Sequence, residues 1–239
     1  MTTKRSTLFQ SATTSFRLPN DGLEAAKVIA VVLMAINHVL LSYPNWNILG
    51  YIIGRPCIPI LAYIMVERLA AGDAGRSKRV LVRLLMWGVL SQLPYQLLFG
   101  EFSFHLNIFF MLASGAALIH FLEIKSYMMT ALALITVICF NQRIDGGALI
   151  PISILVGYWL FQQSRTAAII IIVLASTVTN LNGPLHWQAV PTVLLSLPLI
   201  FFSPWLSSIT PRAPTFSFYA FYPLHIIVIW MFLGPIAGS

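Results

Sequence analysis

Long apolar runs separated by short polar stretches recur along the whole chain. They predict nine helices, at about 23–42, 48–70, 81–99, 104–122, 126–141, 148–162, 166–180, 188–206 and 215–234. A helix needs about 20 apolar residues to cross the hydrocarbon core of a bilayer, and most of these runs approach that length. The run at 148–162 is shorter, so we expect a tilted or broken helix there. The pattern predicts an all-α polytopic membrane protein with about nine transmembrane helices, in a single domain over residues 21–239.

The composition points to the same class of protein. Of the 239 residues, 58% are hydrophobic and 9% are charged, whereas soluble domains average about 25% charged residues. The formal net charge is +7, but the basic residues fall between apolar runs, so we predict membrane lipids and no nucleic acid as partners. The two cysteines, Cys57 and Cys139, lie inside apolar runs without a CxxC motif. We therefore predict buried thiols, and neither a metal site nor a disulfide.

The distribution of basic residues predicts the orientation in the membrane. With a cytoplasmic N-terminus, eleven basic residues fall in inner segments: Lys4, Arg5, Arg17, Arg68, Arg76, Lys78, Arg79, Arg83, Lys125, Arg165 and Arg212. Only Arg143 and Arg55, the latter at a helix start, fall on the outer side. Because cytoplasmic loops carry an excess of Lys and Arg, we predict that the N-terminus is inside and the C-terminus outside. Residues 1–20 are expected to form a retained cytoplasmic tail.

The first apolar run carries two ionisable residues, Lys27 near its inner end and His38 near its outer end. Eleven helical steps of about 100° return to within roughly 20° of the starting direction, so both residues share one face. They should stand about 16 Å apart along the helix. Ionisable side chains are costly in a membrane unless they meet a partner or water. We therefore expect this face to point into the protein.

The second run contains Pro56 and Pro59 next to Arg55. Both prolines lack a backbone donor, so we predict a break or kink that brings unpaired carbonyl groups close to a guanidinium group. Further polar residues fall mainly at outer ends of helices or in outer turns: His38, Arg55, Gln96, His105, Asn107, Arg143, Asp145 and His186. His225 is expected near the middle of the membrane. This arrangement predicts a cavity that opens outward, with a polar path toward the cytoplasm.

Six segments in a fixed order resemble the TraX family: AAKVIAVVLMAINH, GRPCIPILAY, LLMWGVLSQLPYQLLF, LNIFF, RIDGGALIPISIL and FYAFYPLH. The resemblance covers about 23–230. It implies a multi-pass protein of the bacterial inner membrane, encoded by a conjugative plasmid, that N-acetylates the pilin subunit. TraX proteins also resemble the membrane-bound acyltransferases of family 3, which implies cytoplasmic acetyl-CoA as co-substrate and an acceptor at the outer face.

The chain departs from the family pattern beside the first histidine. The family usually has Asp-His at the end of the first helix, and this chain has Asn37-His38. An asparagine does not stabilise an imidazolium as a carboxylate does. We therefore expect the orienting partner of His38 elsewhere in the chain, with Asp145 as the candidate.

Acetyl transfer requires a base, a donor for the oxyanion and a site for the phosphates of CoA. Five residues are predicted to be catalytic: His38 as the base, Arg55 for the oxyanion, Asn37, His105 and Asp145. The residues predicted to bind the cofactor are Lys27, Arg55, Arg79, Arg83, Gln92, Gln96, Asn107, Tyr222 and His225.

Each of these residues also has a purely structural interpretation. His38 would hydrogen-bond a backbone carbonyl, and Arg55 would reach the membrane interface. Lys27 would pair with Glu24, and the basic residues at 68–83 would only orient the protein.

The predicted function is transfer of an acetyl group from acetyl-CoA to the N-terminal amine of pilin. Three alternatives stay open. In the first, the acceptor is a hydroxyl group of a sugar or lipid. In the second, the protein modifies the pilin terminus in another way, such as cyclisation. In the third, the protein is a transporter or a pilin assembly chaperone and catalyses no reaction. The chain shows one proline-broken run and no internal repeat, whereas transporters often show paired breaks and repeats.

Overall fold

A computed structural model of the chain describes residues 20–73, 75–99, 105–181, 186–206 and 215–236. Throughout these ranges the architecture is all-helical, as predicted. The α-helices are α1 Asn20–Leu41, α2 Asn47–Gly54, α3 Cys57–Ala70, α4 Arg76–Phe99, α5 Ile108–Glu123, α6 Tyr127–Cys139, α7 Leu149–Phe161, α8 Arg165–Leu181, α9 His186–Leu194, α10 Ser196–Leu206 and α11 Thr215–Leu233. The predicted tail up to residue 19, which holds Lys4, Arg5 and Arg17, and also Arg212, lies outside the described residues.

All nine predicted runs are helical, with α2 and α3 in the second run and α9 and α10 in the eighth. Among the described residues, two segments are long and apolar enough to cross a membrane, Gly22–Leu41 and Pro44–Ala70, and six shorter apolar helices accompany them. Large apolar side chains are widely exposed, for example Trp205 at 80% and Phe232 at 82%. Exposed apolar surface of this extent is typical of contact with lipid. The count of nine membrane crossings stays a prediction.

The break beside Arg55 is confirmed. Pro56 has no N–H to offer the carbonyl of Ile52, so α2 ends at Gly54 and a new helix begins at Cys57. Pro59, the second proline next to the predicted break, lies inside α3 and does not interrupt it. Pro59 is the third residue of α3, where a backbone N–H has no partner within the helix and its absence costs little.

The third helix begins earlier than the predicted residue 81. α4 starts at Arg76, immediately after Gly75 with its positive φ of 84°, and the Arg76 N–H donates to the Asp73 carbonyl. Arg76, Lys78 and Arg79, which the predicted bounds leave between two helices, therefore lie on the first turn of α4. Lys and Arg are good helix formers, so charge alone does not mark a loop.

The eighth run, predicted as one helix over 188–206, is divided at Leu195 into α9 and α10. Pro198 has no N–H for the Leu194 carbonyl, which weakens the helix at this point. The Leu195 N–H is shared between the carbonyls of Pro191 and Thr192, at 3.2 and 3.1 Å. The described residues therefore include two broken runs where the sequence predicted one.

α3 is the central helix of the fold. Nearly all of its residues are buried, and it packs against α1, α7, α8 and α10. α4 packs against α5 and α11. Cys57 on α3 is buried as predicted, whereas Cys139 at the end of α6 is exposed, because α6 lies at the margin and contacts mainly α5.

A buried polar cluster ties α3 to α8. Glu67, 3% exposed, accepts hydrogen bonds from Tyr63 and from Arg165, whose Nη2 lies 2.9 Å away. Arg165 Nε also donates to the Tyr63 hydroxyl at 2.5 Å. The three side chains satisfy one another, which is the condition for burying charge in a helical core.

Candidate functional site

Two cavities lie along the interior face of α1. The first, called the basic cavity here, has a volume of about 380 Å³ and is bordered by α1, α3, α4, α5 and α11. Its charged lining consists of five cations and one carboxylate: Lys27, Arg68, Arg76, Arg79, Arg83 and Glu24. By the predicted topology it faces the cytoplasm. Such an excess of positive charge suits a ligand that carries several phosphates.

Local ion pairs hold these cations in place. Glu24 pairs with Lys27 on the same helix and with Arg68 on α3, where the Nη2 to Oε1 distance is 2.6 Å. Both oxygens of Asp73 accept hydrogen bonds from Arg79, at 2.7 and 2.8 Å. The hydrogen bond from Arg79 lowers the pKa of the Asp73 carboxyl. The predicted Lys27–Glu24 pair is thus present, and Lys27 lines the cavity as well.

Aromatic rings from α11 complete this wall. Lys27 Nζ lies 5.4 Å from the centroid of Phe218, and Arg83 Cζ lies 5.7 Å from that of Tyr219. Both contacts are within the range of a cation–π interaction. The basic cavity therefore presents flat aromatic surface next to fixed positive charge.

The second cavity, called the histidine cavity here, has a volume of about 260 Å³. All five of the predicted catalytic residues line it. Its polar and aromatic lining consists of Asn37, His38, Tyr51, Arg55, Cys57, Tyr95, Phe99, His105, Asp145 and Tyr222. Helices α1 to α5 and α11, together with the turn before α7, bring these side chains together from distant parts of the chain.

His38 is buried at 6% exposure and contacts His225 on α11. The distance from His38 Nδ1 to His225 Nε2 is 2.9 Å, the ring centroids are 5.1 Å apart and the ring planes are nearly parallel, so the two rings meet edge to edge. The expectation that Asp145 orients His38 was therefore wrong, because His225 occupies the Nδ1 side of the ring. His225 does not line the basic cavity, so its predicted cofactor role is replaced by this contact.

Arg55 and Asp145 share the histidine cavity with His105. The Arg55 guanidinium lies 5.0 Å from the ring of Tyr51, and within the described part of the chain its buried Nε has no hydrogen-bond partner. Asp145 lies in the turn before α7. Burial raises the pKa of its carboxyl, while the neighbouring Arg55 and His105 charges act to lower it. A buried hydrogen-bond donor, Arg55 Nε, is thus available in the cavity that His38 lines.

Backbone hydrogen bonds between the segment before α5 and the turn before α7 bring His105 and Asp145 together. Leu106 N–H donates to the Arg143 carbonyl at 2.6 Å, and Asp145 N–H donates to the Leu106 carbonyl at 3.1 Å. Leu106 and Ile144 form a parallel bridge. Since neighbouring residues in an extended segment point to opposite sides, His105 and Asp145 reach the same cavity.

Gln92 and Asn107 hold these turns in place. Asn107 caps α5 by accepting from the Phe109 N–H at 3.0 Å, and its amide donates to Gln92 and to the Gly88 carbonyl. Gln92 donates to the His105 carbonyl at 2.5 Å. Gln92, Gln96 and Asn107 were predicted to bind the cofactor, yet none of the three lines either cavity.

Asn37 lines the histidine cavity next to His38 but packs on Gly54. Its Oδ1 is buried without a hydrogen-bond partner among the described residues. Its predicted catalytic role therefore has no hydrogen bond to support it. His186 was predicted at the outer side, and its side chain lies outside the described residues.

The two cavities are stacked end to end. On three helices, the residues that line one cavity are a single turn away from residues that line the other. These pairs are Leu61 and Ile58 on α3, Leu112 and Ile108 on α5, and Tyr219 and Tyr222 on α11. Three or four residues correspond to about 5 Å of helix. On these three helices the linings of the basic cavity and the histidine cavity are therefore about one turn apart.

Comparison with known proteins identifies one family. The family described as TraX protein matches residues 22–233, which include both cavities and every described helix except the first two residues of α1. No curated protein and no solved structure matches the chain. Because the match extends over most of the chain, this protein belongs to the TraX family.

Proposed function

We propose that this protein is a multi-pass acetyltransferase of the bacterial inner membrane that transfers the acetyl group of acetyl-CoA to the N-terminal amine of a pilin subunit. The stacking of the two cavities carries the proposal. One cavity has the charge to bind a cofactor with several phosphates, and the next contains a base and an oxyanion donor.

Acetyl-CoA binds from the basic cavity. Its phosphates interact with the cations on α3 and α4, and its adenine ring packs on the aromatic residues of α11. The flexible pantetheine arm extends toward the histidine cavity, where the thioester meets the acceptor. On α3, α5 and α11 the linings of the two cavities are about one turn apart, so a shift of side chains on these helices opens the path.

The transfer is a single displacement. The amine nitrogen attacks the thioester carbon, and His38 accepts the proton that the amine loses. Arg55 stabilises the negative charge that develops on the carbonyl oxygen. The carbon–sulfur bond then breaks, and the CoA thiolate takes the proton from His38. The products are an N-acetylated terminus and free CoA, and the histidine pair returns to its starting state.

The acceptor is proposed from the family. TraX proteins are associated with pilin and with its processing in conjugation. By the predicted topology, the histidine cavity opens toward the outer face, where the amine of a pilin without its signal sequence would lie. A hydroxyl acceptor would use the same base and the same donor, so the product of the reaction has to be identified directly.

The test is transfer of labelled acetyl from acetyl-CoA to a peptide with the N-terminal sequence of mature pilin, using purified protein in liposomes. We expect label on the peptide amine and its loss in His38→Gln. The matched control is His120→Gln, because His120 lies on α5 and lines neither cavity. Absence of label with the wild-type protein, or equal transfer by His38→Gln, would contradict the proposal.

The cofactor site has a test of its own. Arg83→Ala should weaken binding of labelled acetyl-CoA about 10-fold, the loss expected when one charge-assisted contact is removed. Arg143→Ala is the control, because Arg143 is exposed and lines neither cavity. Equal affinity in the two variants would place the cofactor elsewhere.

A further inference from the structure

His225 joins the last helix to the proposed base. Its Nε2 lies 2.9 Å from His38 Nδ1, and the planes of the two rings differ by 2°. Both side chains are buried, with exposures of 6% and 8%. The contact connects α1 with α11 across 187 positions of the sequence, so it fixes the His38 ring relative to the far end of the chain.

The second nitrogen of His225 determines the direction of this hydrogen bond. His225 Nδ1 lies 2.9 Å from the backbone carbonyl oxygen of Phe221. A carbonyl oxygen only accepts, so His225 Nδ1 carries a proton and donates it. In a neutral ring the lone pair is then on Nε2. The hydrogen bond between the two rings therefore has His38 Nδ1 as donor and His225 Nε2 as acceptor.

The same reasoning assigns the tautomer of His38. With its proton on Nδ1, neutral His38 has its lone pair on Nε2. Neutral histidine in water prefers the opposite tautomer, so the partner at Nδ1 changes which nitrogen is the base. Phe99 and Tyr222 meet the His38 ring edge-to-face, with centroids at 5.7 and 6.3 Å, and limit its rotation.

We propose that His225 is a positioning residue, which holds His38 in the tautomer whose Nε2 accepts the proton of the acceptor amine. The inference rests on the proposed function, because it assigns His38 as the base. After His38 is protonated, its Nδ1–H still donates to His225 Nε2, so the buried imidazolium keeps a hydrogen-bond acceptor. The proton leaves from His38 Nε2 to the CoA thiolate. In this chain His225 thus orients His38, a role that the neutral Asn37 side chain cannot fill as a carboxylate would.

Two variants at this position separate hydrogen bonding from packing. His225→Gln retains a carbonyl oxygen that can accept from His38 Nδ1, whereas His225→Leu fills similar space without an acceptor. We expect His225→Leu to lower kcat about 10- to 100-fold, by analogy with the loss of the hydrogen-bond partner that orients a metal-binding histidine. His225→Gln should recover most of this loss, and KM for acetyl-CoA should change little in either variant. Equal activity in the two variants would overturn the inference.

A spectroscopic measurement tests the tautomer without the reaction. The ¹⁵N resonances of His38 in labelled protein, assigned by comparison with His38→Gln, distinguish a protonated ring nitrogen from one with a lone pair. We expect the proton on Nδ1 in the wild type and on Nε2 in His225→Leu. A proton on Nε2 in the wild type would overturn the inference alone. The expected tautomer in a protein that transfers no acetyl would overturn the proposed function, and with it the catalytic role of His225.

Discussion

Gly54 lies directly against the side chain of Asn37. A Cβ atom built on Gly54 would lie 2.5 Å from Asn37 Cγ and 2.7 Å from Asn37 Cβ. These distances are far below van der Waals contact, so no side chain fits at position 54 unless α1 and α2 move apart. The close approach keeps α2 against the C-terminal end of α1, next to His38.

Gly54→Ala should therefore destabilise the protein by about 1–3 kcal/mol, the usual result of overpacking a close contact. It should also reduce acetyl transfer, because a displaced Asn37 shifts the neighbouring His38. Gly157→Ala is the control, since its Cβ would meet the flexible Ile172 side chain at 3.2 Å. Thermal unfolding in detergent measures both variants. Similar midpoints would mean that the α1–α2 contact can relax at little cost.

The buried ion pair between Glu67 and Arg165 allows a second prediction. Removal of one partner leaves an uncompensated buried charge, so Glu67→Leu should lower stability by about 3–5 kcal/mol. The double variant Glu67→Leu, Arg165→Met should be more stable than this single variant, because neither charge is then left alone. Unfolding of both variants under the same detergent conditions gives the comparison. If the double variant is less stable than Glu67→Leu, the buried charge of Arg165 is not the cause of the loss.

Asp73 provides a prediction for the basic cavity. Its carboxylate accepts two hydrogen bonds from Arg79 and thereby competes with any phosphate for that guanidinium group. Asp73→Asn should increase the affinity for acetyl-CoA a few-fold at low salt, and the gain should diminish as salt screens the charges. Equilibrium binding of labelled acetyl-CoA over a range of salt concentrations tests this. A weaker affinity in Asp73→Asn would mean that the Arg79 conformation matters more than its charge.

Variants of Asn107 test whether this residue has a structural role or binds acetyl-CoA. Its side chain caps α5 and also bonds Gln92 and the Gly88 carbonyl, so Asn107→Ala should cost about 2 kcal/mol of stability. Asn107→Ser keeps an oxygen acceptor for the helix cap and adds no buried charge, so it should lose less. The affinity for acetyl-CoA should stay unchanged in both variants, as measured by direct binding. A marked loss of affinity in the more stable Ser variant would restore the cofactor role predicted from the sequence.

Much of the fold could be predicted because apolar runs of helical length are a strong local signal. The break at Pro56 was predictable for the same reason, since a missing backbone donor acts within one turn. The break at Leu195 was missed because prolines occur throughout that run, and their spacing does not indicate which donor the helix can lose. The early start of α4 was missed because its charged residues looked like a loop.

The residues of the candidate site could be selected from the sequence, but the contacts between them could not be predicted. His38 and Arg55 could be selected because ionisable residues in apolar runs need polar neighbours. Asp145 was selected as a candidate partner for His38, and it lines the same cavity without bonding that histidine. The partner of His38 could not be identified, because His225 is 187 residues away and no local pattern links the two. The division into two cavities was also beyond the sequence. It depends on the alignment of α3, α5 and α11 at single-turn precision.

The intact mass of the mature pilin subunit tests the central claim most directly. Pilin would be isolated from cells with the wild-type protein, with His38→Gln and without the protein, and its N-terminus would be mapped by fragmentation. We expect a mass increase of one acetyl group on the terminal amine with the wild-type protein only. The same pilin mass in all three samples, or an added group at any other position, would contradict the account.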